Sequence, residues 1–244
     1  MEDMRHYKIA DCHVRMNCMT PFMLCQCAPY AAQADDGSDH PWIDLGLSPN
    51  QREEGRLRGC SPAMVEYNYT FVRFLQEVLE QGCFCFHASA LQVDGEAVLF
   101  SADSGTGKST HAGLWETYLA DRHRVVRLND DKPVLRVRQD GVWAYGSPWS
   151  GKHVIHTNAK APVKAVVFLE QAPENHIRSV TPQEAFSLVF PQTFCLKTDA
   201  RQRILVLQML DQFLRQVPVY VLSCNISREA VELVYQTIWK GNHK

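Results

Sequence analysis

Apolar residues in this chain recur at helical spacing in some stretches and crowd into short β-rich runs in others. Ser61-Pro62 opens a stretch that puts Met64, Tyr67, Phe71, Phe74, Leu75, Val78 and Leu79 on one broad face. Ser61 suits the N-cap, Pro62 the first turn and Gly82 the stop, so a helix is predicted there. The pattern then turns β-rich. Phe84 to Val93 and Glu96 to Ser101 are strand-like runs separated by Asp94-Gly95, a two-residue hairpin signal. Arg124 to Leu128 is a further strand; Pro133–Arg138 and Val142–Tyr145 form a second hairpin around residues 139–141, and Val163–Glu170 ends the series. A glycine-bearing loop at 102–109 leads into a helix predicted over 109–120. The last third is helical at Pro182–Val189 and at Ala200–Gln216, where Ile204, Leu207, Leu210 and Leu214 define the expected buried face. A strand at Pro218–Cys224 and a helix capped by Ser227 and running through Trp239 complete it. Before residue 80 the pattern is irregular, with a polar loop expected at 34–40 between short strand-like pieces. Hairpins before and after the 102–109 loop predict an α/β fold with a mixed, partly antiparallel sheet, since a doubly wound sheet would continue in parallel βαβ units.

Composition narrows the function classes. With 244 residues, 45% hydrophobic and 21% charged, the chain can build a sizeable core without disulfides or metals. A net charge of −2 predicts neither a nucleic-acid nor a membrane-surface partner. No apolar stretch reaches the ~18 residues of a membrane span, and the first seven residues lack a signal-peptide core. A soluble, cytoplasmic protein is expected, with a homo-oligomer as one option. The nine cysteines include no C-x-x-C. Cys83-Phe84-Cys85-Phe86 reads as a strand buried on both faces, with the thiols as small core hydrophobes; the alternative is a metal site built from Cys12, His13, Cys18, Cys25 and Cys27.

The strongest chemical signal is Ser101-Ala-Asp-Ser-Gly-Thr-Gly-Lys-Ser-Thr110, a phosphate-loop (Walker A) pattern with Ala102 in place of the first glycine. Candidate nucleotide-binding residues are Asp103, Ser104, Gly105, Thr106, Gly107, Lys108, Ser109 and Thr110. Backbone N–H groups would form an anion nest, Lys108 would add charge at the β- and γ-phosphates, and Ser109 would offer its hydroxyl to Mg²⁺. Twenty-one residues beyond Ser109, a strand ends in Asp130-Asp131, where a metal-binding carboxylate is expected. Adjacent carboxylates project to different sides of an extended backbone. One can hold the metal while the other faces an acceptor hydroxyl.

His87, Ser-Gly-Thr-Gly-Lys-Ser at 104–109 and Asn-Asp-Asp at 129–131 resemble the HPr kinase/phosphorylase catalytic domain, whose fold is that of ATP-dependent phosphoenolpyruvate carboxykinase. Phe86-His-Ala-Ser89 and Gly146-Ser-Pro-Trp-Ser-Gly-Lys152 are similar to small bacterial HPr-kinase-like proteins, some of which phosphorylate serine in peptide natural-product precursors. The resemblance covers about residues 83–190. It implies a small N-terminal α+β region over 1–80 and a P-loop catalytic domain over 81–244. It assigns ATP and Mg²⁺ as cofactors, Lys108 and Ser109 to nucleotide and metal, Asp131 to the metal, Asp130 to the general base and His87 to its neighbour. The family's glycine-rich, arginine-bearing signature segment has no counterpart here, which makes Lys152 the local candidate for the missing cation. Trp149 is expected to pack or stack, His153 and His156 to lie on a surface edge, and His111 to be exposed. The leading function is an ATP-dependent kinase acting on a hydroxyl, most simply a serine of a peptide or protein. A small-molecule hydroxyl kinase, a non-catalytic nucleotide-binding module and a carboxykinase are the alternatives.

Overall fold

The computed structural model describes residues 4–33, 41–151, 153–195 and 200–241; the loop expected at 34–40 and Lys152 lie outside the described residues. Strands β1 (Arg5–Ile9) and β2 (Cys12–Met16) form an antiparallel hairpin that turns through Ala10 and Asp11, both at positive φ. Thr20 caps α1 (Pro21–Cys27), and β3 (Ile43–Asp44) pairs with β2. A Ser48/Gln51 capping box opens α2 (Pro49–Leu57). Helix α3 (Pro62–Val78) follows its prediction closely. Ser61 accepts the Met64 N–H, a short 3₁₀ turn extends the helix, and Gly82 ends it at φ 71°. Tyr67, Phe71, Phe74, Leu75 and Val78 are buried, whereas Met64 is half exposed. The region before residue 80 is thus more regular than its sequence pattern suggests.

The rest of the chain builds a ten-stranded mixed sheet. Its elements are β4 (Cys83–Phe86), β5 (Ser89–Val93), β6 (Glu96–Ser101), α4 (Lys108–Leu119), β7 (Val125–Asn129), β8 (Val134–Arg138), β9 (Gly141–Tyr145), β10 (Lys160–Gln171), β11 (His176–Ser179), α5 (Pro182–Val189), β12 (Thr193–Phe194), α6 (Ala200–Gln216), β13 (Val219–Cys224) and α7 (Arg228–Trp239). Strand order is β12-β4-β8-β9-β10-β6-β5-β7, with β13 beside β10 and β11 beside β13. The long β10 joins two halves. Its first residues pair antiparallel with β9, and its later residues run parallel to β6 and β13. The fold is therefore α/β with a mixed sheet, as expected, and the phosphate loop leaves the C-terminal end of a parallel strand.

Alternation along the strands sends side chains to separate cores. Phe84 and Phe86 join Leu135, Val166, Val206, Leu210 and Phe213 under α6, while Cys83 and Cys85 point the other way, into a core shared with β1, β2 and α3. All four residues of β4 are fully buried, as read from the sequence. Val98 and Phe100 face Trp115, Leu119 and Val231, sealing α4 and α7 onto the sheet.

Two expectations are corrected. The run Phe84–Val93 is not one strand: the chain bends at His87-Ala88, where the His87 N–H donates to the Gln192 carbonyl and the Ser101 hydroxyl donates to the His87 carbonyl. On α6, Ile204 and Leu207 are exposed, and Val206, Met209, Leu210 and Phe213 take the buried face. Among the described residues no group of three or more His, Cys, Asp or Glu side chains could hold a metal, so Cys12, His13, Cys18, Cys25 and Cys27 do not converge. No helix in the described residues is long and apolar enough to cross a membrane.

Candidate active site

The loop after β6 folds back on its own lysine. Gly105 and Gly107 sit at φ 84° and 113°, a backbone that only glycine takes without strain. Gly107 then starts α4 by accepting the His111 N–H at 2.8 Å. Lys108 Nζ donates to the Ala102 carbonyl at 2.9 Å and lies only 8% exposed. Burial pushes its pKa down, although Asp131, Asp103 and Asp130 pull the other way. The helix dipole and this enclosed ammonium aim positive charge at one spot.

The facing wall is the turn after β7. The Asn129 side-chain carbonyl accepts the N–H groups of Asp131 (2.8 Å) and Lys132 (2.6 Å), and its amide donates to the Ser147 carbonyl and hydroxyl. The turn signal at Asn129-Asp130 and the carboxylate pair are one object. The two aspartates differ sharply. Asp130 is buried, and its Oδ1 accepts from the Ser89 hydroxyl at 2.8 Å and from Arg127, which Glu116 of α4 also grips. Asp131 is more open, with His87 Nε2 at 3.4 Å from Oδ1 and the Lys132 ammonium on Oδ2. Burial raises the pKa of Asp131, but His87 and Lys132 outweigh it and hold the carboxyl below its usual range.

Gln192 sets the orientation of His87. Its amide nitrogen donates to Asp103 Oδ1 at 3.3 Å, so its oxygen faces His87 Nδ1 at 2.8 Å and that nitrogen carries the proton. Nε2 is turned toward Asp131 Oδ1, 3.4 Å away, so the imidazole and the carboxylate face each other and can share one proton.

The third wall is the 147–151 loop. Trp149 is fully buried against Phe71 and Phe74, with its indole N–H on Thr70, so it packs as expected. Gly151, at φ 74°, donates its N–H to the Tyr67 hydroxyl at 3.0 Å. Ser150 Oγ is buried without a hydrogen-bond partner among the described residues and borders the same space.

These walls enclose a cavity of about 490 Å³ lined by His87, Ser104, Gly105, Gly107, Lys108, Ser109, Thr110, Asp130, Asp131, Ser150, Gly151 and His153. Thr106 lines a neighbouring cavity instead. Asp103 is exposed beside Gln192. Lys152 lies outside the described residues; the cation found against Asp131 is Lys132, boxed by Tyr67, Phe71 and Phe194 at 5.4 to 5.8 Å from their ring centres. His153 is exposed, and half-buried His156 is bound between Tyr30 and Gln26. His111 is a correction: it is 4% exposed, and burial pushes its pKa down to about 4. Sequence reasoning missed Arg127, Lys132, Ser150 and Gln192, whose partners are remote or whose role depends on the turn.

The residues present suit a magnesium–nucleotide complex: an enclosed lysine, an orphaned buried hydroxyl and a serine–carboxylate set border one cavity. A family model described as SynChlorMet cassette protein ScmC matches residues 62–238. No curated protein matches the chain. Among solved structures, the Hpr(Ser) kinase/phosphatase from Coxiella burnetii is similar at 14% identity and a TM-score of 0.36, covering 63% of this chain and 94% of that one.

Proposed function

We propose that this chain, which belongs to the ScmC family, is an ATP-dependent kinase that transfers a γ-phosphoryl group to a hydroxyl, most simply a serine of a peptide or protein. The observation that carries the reading is the meeting of Lys108 and the Asp131–His87 pair across one cavity. The phosphate loop, Lys108 and Ser150 bind and orient the phosphates. Ser109 and the free oxygen of Asp130 would hold Mg²⁺, which when bound neutralises charge on the phosphate oxygens. Asp131 takes the acceptor's proton and shares it with His87 Nε2, while Gln192 keeps the imidazole turned.

This reverses the roles expected from the sequence, Asp130 as base and Asp131 as metal ligand. Asp130 has one oxygen committed to Ser89 and Arg127 and is 5% exposed. Asp131 borders both the phosphate cavity and a groove of about 220 Å³ that runs past Lys132 to Gln192, Thr193 and Phe194. That groove follows β12, an edge strand of the sheet, which suits an extended peptide better than a compact small molecule. A non-catalytic nucleotide-binding module would have no use for the oriented His87–Asp131 pair. Cytoplasmic localisation belongs to the same proposal.

Calorimetry tests the base of this reading. Mg-ATP should bind with micromolar to millimolar affinity, and Lys108→Ala should weaken it by roughly tenfold or more, the loss of a charge-assisted contact. No nucleotide binding in the presence of Mg²⁺ would sink it.

A further inference from the structure

A second cavity, of about 710 Å³, adjoins the first between the opening turns of α4 and the C-terminal ends of β10 and β13. The two share Gly105, Gly107 and Thr110. A ligand with phosphates over Lys108 can therefore continue into it. Leu114 and Leu169 are part of its apolar lining, and Ile226 stands exposed at its rim.

His111 also borders this space. Its ring packs against Phe100 at 4.7 Å, and its Nε2 accepts the indole N–H of Trp115 at 3.2 Å. An indole nitrogen can only donate, so Nε2 is the lone-pair nitrogen and the ring proton sits on Nδ1. That Nδ1–H has no partner among the described residues. His111 lines the cavity, so an acceptor atom arriving there can take this hydrogen bond.

We propose that this cavity receives the nucleoside half of the nucleotide and that His111 Nδ1–H donates to an acceptor atom on it, making His111 a specificity-determining residue. The assignment rests on the phosphate-loop reading but fails separately from it, because inorganic tripolyphosphate fills only the phosphate cavity.

The experiment is calorimetric titration of the full chain with Mg-ATP and with Mg-tripolyphosphate. The wild type should bind ATP more tightly than tripolyphosphate. His111→Gln should lose roughly five- to tenfold in ATP affinity, about one neutral hydrogen bond, with tripolyphosphate affinity unchanged. His111→Asn should stay within about threefold of wild type, because its amide nitrogen stands where Nδ1 stood. A purely structural role predicts the opposite order, since Gln preserves the acceptor for Trp115 and Asn does not. If Gln binds ATP as well as wild type, or if both ligands weaken together, the proposal is overturned. Should both His111 variants fail to fold, Ile226→Ser at the exposed rim must still weaken ATP and spare tripolyphosphate; equal binding of ATP overturns the proposal. Wild type that binds tripolyphosphate with no gain from adenosine overturns it alone, whereas wild type that binds neither overturns the kinase reading beneath it.

Discussion

Asp130 and Asp131 are neighbours in sequence with different physical fates, because the turn after β7 that holds both sends them to different surroundings. Asp130 faces inward to Arg127 and Ser89; Asp131 faces the open groove with His87 and Lys132. Asp131→Asn should keep ATP affinity within a few-fold yet cut turnover by ~10²–10⁴, the usual loss when acid–base assistance goes. Asp130→Asn should instead weaken Mg²⁺ dependence and nucleotide binding together, and lower thermal stability by removing a partner of buried Arg127. Turnover, ATP affinity and a Mg²⁺ titration on both variants decide between them. A turnover loss with intact binding in Asp130→Asn would restore the sequence-derived roles and overturn those proposed here. His87→Ala should be milder than Asp131→Asn, since it removes only the group that shares the proton.

At the scale of elements, α3 does more than its amphipathic pattern announces. Glu66, on its inner side, accepts the N–H groups of Met19 (2.9 Å) and Thr20 (3.0 Å), the Thr20 hydroxyl, and Arg52 of α2. Burial raises its pKa, but these donors win and hold it below the ordinary 4.5. A depressed carboxyl pKa contributes stability that is fully present above 4.5 and is lost as pH falls toward the folded value. Glu66→Gln should therefore cost about 2 kcal/mol at neutral pH, the scale of hydrogen bonds to a charged group. The gap from wild type should shrink in thermal melts below pH 4.5; a pH-independent gap would refute the carboxylate's role. Helix α3 itself, α4 and the Asp94-Gly95 hairpin were legible because each carries a local signal, here φ 49° and 94° at the turn. The β1–β2 hairpin was not, because Ala10 and Asp11 are poor advertisements for positive φ. The phase of α6 was ambiguous, since apolar residues lie on more than one of its faces. The phosphate loop could be read from ten contiguous residues, but His87 and Gln192 stand 105 positions apart, and no local pattern joins them.

At the scale of the molecule, the sequence-derived boundary near residue 80 runs through shared packing. Ile9, Val14, Met23 and Phe74 occupy one core with Cys85, Val134, Tyr145 and Trp149, and the Tyr67 hydroxyl reaches the 147–151 loop. Scanning calorimetry should show one transition whose van't Hoff and calorimetric enthalpies agree. Two resolved transitions would mean that the regions on either side of residue 80 unfold independently.

That shared core has a kinetic side. Tyr30 meets His156 across 126 residues of chain, and contacts of such separation require long loops to close before they repay the entropy. During synthesis Ile9, Val14 and Phe74 emerge well before Val134, Tyr145 and Trp149, so the first apolar face waits uncovered for a partner still being made. Its completion waits until Trp149 has been made, and the interval before that is when this chain is most open to self-association.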